Sequence, residues 1–167
     1  MQLMSWSERA REDAFTFNPA YLGALSFEFV KSYQAACKLA SPYALPFCAL
    51  PFALYPDSRR LLPDSIRTGL YSWLERTPEA MVGYAGRARN LAPYIREGLM
   101  YATHRQVLQF DGGRIKSGTK KASFSETTMN SITPDMRDTI RSVRMTGKWF
   151  AAAGEEQTIL TSLGVRP

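Results

Sequence analysis

The sequence predicts a mainly α-helical fold with a small β-hairpin: a winged helix-turn-helix-like central unit flanked by N- and C-terminal helices. Three observations predict it. Apolar residues recur at helical spacing through most of the chain. The pattern changes to period two around Val107 to Lys116. An Asp-Gly-Gly turn, Asp111 to Gly113, interrupts that stretch. With 167 residues, 45% of them apolar, the chain reads as one domain, 1–167. Its parts are an N-terminal helical and Pro-rich segment (1–60), the winged helix-like unit (62–117) and C-terminal helices (132–167). A chain of this size buries roughly 68–70% of its unfolded surface, enough core to fold without a disulfide or a metal.

Asn18 and Pro19 supply an N-cap and a first helical position, and Tyr21, Leu22, Leu25, Phe29, Val30 and Tyr33 carry that helix to about Leu39. Its apolar positions are too dense for a one-faced surface helix, which marks a central core helix or an interface. Ser41-Pro42 stops it. Prolines at 42, 46, 51 and 56 then remove backbone donors and fix φ. They predict short extended or single-turn pieces over Tyr43 to Pro56, not a continuous helix. Phe47, Phe52 and Tyr55, with Leu50 and Leu54, either pack into the core, the usual fate of large apolar side chains, or form a partner-binding patch.

Asp64 or Ser65 caps the next helix, whose apolar residues are Ile66, Leu70, Tyr71, Trp73 and Leu74. Thr77-Pro78 ends it and opens a second, with Met81, Tyr84, Ala85, Ala88, Leu91 and Ala92 on one stripe. Pro93 begins a third, with Ile95, Leu99 and Ala102 inward. Three helices and then a hairpin is the order of a winged helix-turn-helix, the third helix standing in the recognition position and the hairpin forming the wing. Ser117 to Ser131 is polar and reads as a loop. Thr133-Pro134-Asp135 caps a helix running to about Trp149, with Met136, Ile140, Val143 and Phe150 on its buried side. Gly154 breaks it, and Glu155 to Leu163 makes a last short helix ended by Gly164.

The formal net charge of +6 is localised. Residues 1–58 sum to −1, residues 59–121 hold twelve basic and five acidic side chains for +7, and residues 122–167 sum to zero. Such a field suits an anionic partner, nucleic acid or an acidic protein face, and is otherwise a solvated surface. The candidate nucleic-acid-binding residues are Arg87, Arg89, Arg96 and Arg105, on or beside the second and third helices, and Arg114, Lys116, Lys120 and Lys121, on the hairpin and the loop after it. In a winged unit the two groups flank one groove of a duplex, meeting phosphates. Aromatic side chains are sparse among them, which favours double-stranded DNA over stacked single strands. Many winged units bind proteins instead, and both uses stay open.

P-loop, GxGxxG, HExxH, GxSxG and paired-cysteine motifs are absent. Cys37 and Cys48 read as free buried thiols of a reducing compartment, and with His104 they make no zinc site at standard spacing. Asp57, Asp64, Asp111 and Asp135 have turn or cap roles. No catalytic residue, metal or cofactor is assigned, and the chain reads as a non-enzyme. A small hydrolase or nuclease using His104 or Asp111 is the reading from a different class. Met1 to Asp13 has no apolar signal-peptide core. Tyr43 to Tyr55 is shorter than the roughly 20 residues of a spanning helix, so a soluble cytoplasmic protein without a membrane partner is expected.

Asn18 to Gly23, Leu45-Pro46-Phe47 to Leu50-Pro51, Trp73-Leu74, Arg87 to Tyr94 with Arg96-Glu97, Asp111 to Arg114, and the ending Lys148-Trp149-Phe150-Ala151 through Leu163 to Pro167 follow one another in a fixed order. In these residues the chain resembles the middle component of bacterial three-component ABC systems, over nearly its whole length. The resemblance implies a non-enzymatic subunit that partners an ABC/SMC-like ATPase and a third, effector component in systems directed against phage or other invading DNA. No catalytic residue transfers with it. An adaptor of that kind would use its apolar N-terminal half and C-terminal helix, making Phe47, Phe52, Tyr55, Trp149 and Phe150 the candidate partner-binding residues. A stand-alone winged-helix DNA-binding protein of the transcription-regulator type is the alternative.

Overall fold

A computed structural model describes residues 8, 9 and 17–165. Apart from Glu8 and Arg9, the segment Met1 to Asp13 lies outside the described residues, as do Arg166 and Pro167. The fold is mainly helical with a small three-stranded antiparallel sheet.

Helix α1 (Pro19–Cys37) begins as its sequence dictates: the Asn18 side chain accepts from the Ala20 N–H at 2.8 Å. It ends at Cys37, where Lys38 turns left-handed (φ 64°) and its N–H closes on the Gln34 carbonyl. Ten of its residues, from Leu22 to Tyr33, are buried. They are covered by two long helices, α5 (Tyr84–His104) and α7 (Pro134–Ala152), which make the most extensive packing in the protein with α1. Glycine lets the axes approach. A Cβ on Gly98 would stand 2.7 Å from the Leu22 Cβ, and one on Gly147 would stand 2.6 Å from the Phe29 carbonyl oxygen.

The Pro-rich stretch departs from its expectation. Strand β1 is only Ser41–Pro42, and helix α2 runs from Leu45 to Leu54. Pro46 occupies the first turn, where a missing N–H costs nothing, and Pro51 lies inside. Eight of the ten α2 residues are buried, so the helix fills the space between α1, α5 and α7 and is apolar all round. Burial of Leu45, Leu50 and Phe52, at ~1.5–3 kcal/mol each, outweighs the ~3 kcal/mol of an interior proline. Helix α3 (Pro56–Arg60) follows directly.

Helix α4 is Leu70–Arg76, so it starts well after the expected Asp64 or Ser65 cap. The Ser65 side chain closes only a local turn with the Arg67 N–H, and the Thr68 carbonyl accepts from Trp149 Nε1 at 2.7 Å. A short 3₁₀ turn, Pro78–Met81, precedes α5.

The expected second and third helices are one. Helix α5 passes through Pro93 without a break, and its buried stripe of Tyr84, Leu91, Ile95, Gly98, Leu99 and Ala102 continues on both sides of the proline. Leu91, Ile95 and Leu99 are fully buried against the neighbouring helices. Their packing holds the helix where local chemistry would end it. The split read at Pro93 is therefore absent, and Pro93 is not a recognition-helix start.

The hairpin forms as read: β2 (Leu108–Asp111) and β3 (Arg114–Ser117) pair with Phe110 opposite Ile115 and Asp111 opposite Arg114. Gly112 and Gly113, at φ 54° and 79°, make the two-residue turn. A third strand was not legible: β1 pairs with β3, Ser41 opposite Ile115, giving the order β1-β3-β2.

The polar segment from Ser117 is anchored and contains a helix, α6 (Glu126–Ser131), whose cap Ser125 accepts from the Thr128 N–H. Helix α7 is capped by Thr133 as expected, and α8 (Glu156–Ser162) closes the fold beyond Gly154 (φ 100°).

Candidate partner and nucleic-acid interface

Three of the eight basic candidates lie on α5 (Arg87, Arg89, Arg96), two on the hairpin (Arg114, Lys116) and three just beyond them (Arg105, Lys120, Lys121), and the structure divides them by what holds them. Arg87 is a strut. It donates to the Val82 carbonyl at 2.7 Å and the Ala80 carbonyl at 3.3 Å, and its guanidinium lies 5.6 Å from the centre of the Tyr55 ring. Its Nε is buried without a hydrogen-bond partner among the described residues. Arg114 donates to the Ala40 carbonyl at 2.9 Å, and Lys116 pairs with Asp111 at 3.0 Å. Arg114 ties the hairpin to the segment before β1 and Lys116 ties its two strands together, while both side chains reach solvent.

Arg89, Arg96, Lys120 and Lys121 are exposed and make no hydrogen bond or ion pair through their side chains among the described residues. Arg89 and Arg96 are seven residues apart in α5, about two turns, and so lie on one side of it. Arg105 leaves about two and a half turns after Arg96, on the opposite side, with its guanidinium 5.7 Å from the Tyr101 ring centre. The basic residues thus do not share one face.

Three of the five partner-binding candidates are core residues, which overturns that expectation for them. Phe52 stacks on Tyr84 at 4.5 Å between ring centres and meets Trp73 edge-on at 5.6 Å. Trp149 packs against Trp73 at 5.1 Å, and Phe150 meets Phe29 edge-on at 6.1 Å. All three are fully buried, so no partner reaches them. Large aromatic side chains at helical spacing fill interiors first. Tyr55 is half-buried beneath Arg87, and Phe47 is half-buried at the edge of a surface cavity. Among the described residues, the large apolar side chains that do face solvent are Leu39, Ile66, Val82, Met100, Tyr101 and Phe110.

Sequence reasoning also missed the charged centre of the fold. Glu28, 1% exposed, accepts from Arg144 Nε at 2.8 Å and Nη2 at 2.9 Å, from the Phe124 N–H at 2.8 Å and from Ser123 Oγ at 3.0 Å. Burial pushes this carboxyl up. The Arg144 hydrogen bonds, the Phe124 N–H, the Arg144 charge and Ser123 together outweigh that and hold it below its usual range. One acid inside the apolar run Leu22 to Val30 was the available sign. Elsewhere, Cys48 is buried and its thiol is pushed up to about 12 by desolvation. No cluster of three or more His, Cys, Asp or Glu side chains suited to a metal occurs among the described residues.

The family model for Middle Component 3 of ABC-three component (ABC-3C) systems matches residues 6–167. The chain belongs to this family. A middle component of a multi-component ABC system has partner components, and its surfaces are to be read with them in mind. No helix of this middle component is long and apolar enough to cross a membrane, among the described residues. No curated protein and no solved structure matches it.

Proposed function

We propose that this middle component is a non-enzymatic adaptor that joins an ABC/SMC-like ATPase to a third, effector component in a cytoplasmic anti-phage complex, and that it also offers a basic surface to duplex DNA. The observation that carries the adaptor role is the family match over 6–167, which makes the chain one part of a multi-component machine. The DNA-binding role is supported by Arg96, Lys120 and Lys121, exposed cations without protein counter-ions among the described residues. Arg105, Arg114 and Lys116 add charge on the side of Lys120, whose N–H donates to the Gln106 carbonyl, and Arg96 stands apart on the other side of α5. Contact is with phosphates around the C-terminal end of α5, the hairpin and the loop after it, the helix-plus-wing idea reduced to a helix end and a hairpin.

The test is affinity purification of the tagged chain, expressed with the other components of its own system, with and without nuclease. Recovery of the ATPase after nuclease treatment supports the adaptor. Recovery of nucleic acid alone, or of components lost on nuclease treatment, overturns it in favour of a stand-alone DNA-binding protein. Turnover of DNA or nucleotide by the purified chain, lost on changing His104 or Asp111, overturns the non-enzymatic role.

A further inference from the structure

Alternation along β2 and β3 turns Leu108 and Ile115 inward and leaves Gln109, Asp111, Arg114 and Lys116 on the opposite, solvent-facing side of the hairpin. Gln109 stands directly across from Lys116, and Asp111, the carboxylate of this face, accepts from Lys116 at 3.0 Å. Beside the ribbon, Gln109 shares a notch of about 290 Å³ with Thr103, Gln106 and Thr119. The Lys120 N–H donates to the Gln106 carbonyl at 3.0 Å, so Lys120 and Lys121 leave the chain next to the notch.

Gln106 closes helix α5: its N–H bonds the Thr103 carbonyl, the Val107 N–H bonds the Ala102 carbonyl, and its φ is 61°. Glycine is the residue that such a left-handed position favours, so a glutamine here carries a conformational cost. Gln106, Gln109 and Thr119 are exposed, and their side chains make no hydrogen bond among the described residues. Neutral amides beside cations match the groove of a duplex, in which phosphates border the donor and acceptor edges of the bases. A two-stranded ribbon enters the major groove, about 12 Å wide, and a glutamine amide both donates and accepts, as the N6 and N7 edge of adenine requires.

We infer that this face of the hairpin enters the major groove and that Gln106 and Gln109 read base edges there, with Lys120 and Lys121 on the flanking phosphates. Binding is then selective for sequence as well as driven by charge. The inference rests on the DNA-binding role above and adds that selectivity to it.

The experiment takes the full chain through rounds of selection from a pool of randomised DNA duplexes, then measures affinity for the enriched sequence and for the same duplex shuffled. The enriched sequence should bind at least about tenfold tighter than its shuffled form. Gln106→Gly and Gln109→Ala should each lower that ratio at least about threefold and leave the salt slope on shuffled duplex as it was, since neither removes a charge. Gln106→Gly also relieves the left-handed position, so its Tm should not fall, and selectivity lost there is not folding lost. Duplex binding without an enriched sequence overturns the base readout and leaves the DNA-binding role standing. A ratio that survives either substitution overturns the assignment of the two glutamines as readers. Failure of the wild-type chain to bind any duplex overturns the DNA-binding role and this inference with it.

Discussion

Glu28 stays ionised inside α1 because four donor contacts reach it, and those contacts hold α7 and the segment before α6 against α1. Arg144→Ala leaves the carboxylate buried without its cation and should destabilise the protein by about 3 kcal/mol in urea unfolding, whereas Glu28→Leu with Arg144→Met should cost much less. The pH dependence has a definite sign. The folded carboxyl titrates below its unfolded value of roughly 4.3, so its stabilisation is complete above that value and is lost as pH falls through the folded one. Urea midpoints measured from neutral to acidic pH should fall less steeply in Glu28→Gln than in the wild type. A second residue-scale prediction concerns the thiols. Desolvation keeps Cys48 protonated, while Cys37 is half-buried at the end of α1. Ellman's reagent at mildly alkaline pH should titrate Cys37 in the native protein and both thiols in denaturant.

At the scale of elements, Pro93 separates two accounts of residues 78–104. Inside a continuous helix, proline forfeits a hydrogen bond to the Arg89 carbonyl, so Pro93→Ala should stabilise the protein, by up to about 3 kcal/mol. At the start of a separate third helix the same change would be neutral or unfavourable. A rise in Tm supports the single helix, and a fall sinks it. Gly147 makes the complementary case in α7. Its missing Cβ is what lets α7 approach α1, and the atom it would strike is the backbone oxygen of Phe29, which a rotamer change does not move. Gly147→Ala should cost about 1–3 kcal/mol and lower Tm accordingly.

At the scale of the molecule, buried charge and exposed charge have separate work. Arg59, Arg87 and Arg144 bind carbonyls, hydroxyls or carboxylates within the fold. Arg96, Lys120 and Lys121 face solvent with no such partners among the described residues. If the last two meet duplex phosphates, Lys120→Glu with Lys121→Glu should lower the slope of log K against log salt by about 2. An unchanged slope removes them from the DNA surface. The asymmetry of charge along the chain does not translate into one face, because Arg96 on α5 and Arg105 just after it point to opposite sides and Arg87 turns inward.

By itself the sequence determined whatever depends on neighbours in the chain. Asn18 and Thr133 cap α1 and α7, Gly112 and Gly113 turn the hairpin, and Tyr84, Leu91, Ile95, Leu99 and Ala102 of α5 and Ile140, Val143 and Phe150 of α7 are buried as read, whereas Ala85 is exposed and Met81, Ala88 and Ala92 are half-buried. The resemblance to a middle component was also legible and agrees with the family match. Tertiary structure decided whatever depends on partners far along the chain. It held α2 helical through Pro51, carried α5 past Pro93, delayed α4 by engaging the Thr68 carbonyl, and paired Ser41 with Ile115. It sent Phe52, Trp149 and Phe150 inward and left Phe47 beside a groove. The physical reason is one of magnitude. A proline or a cap biases local structure by ~1–3 kcal/mol, and burial of two or three large side chains against distant elements exceeds that.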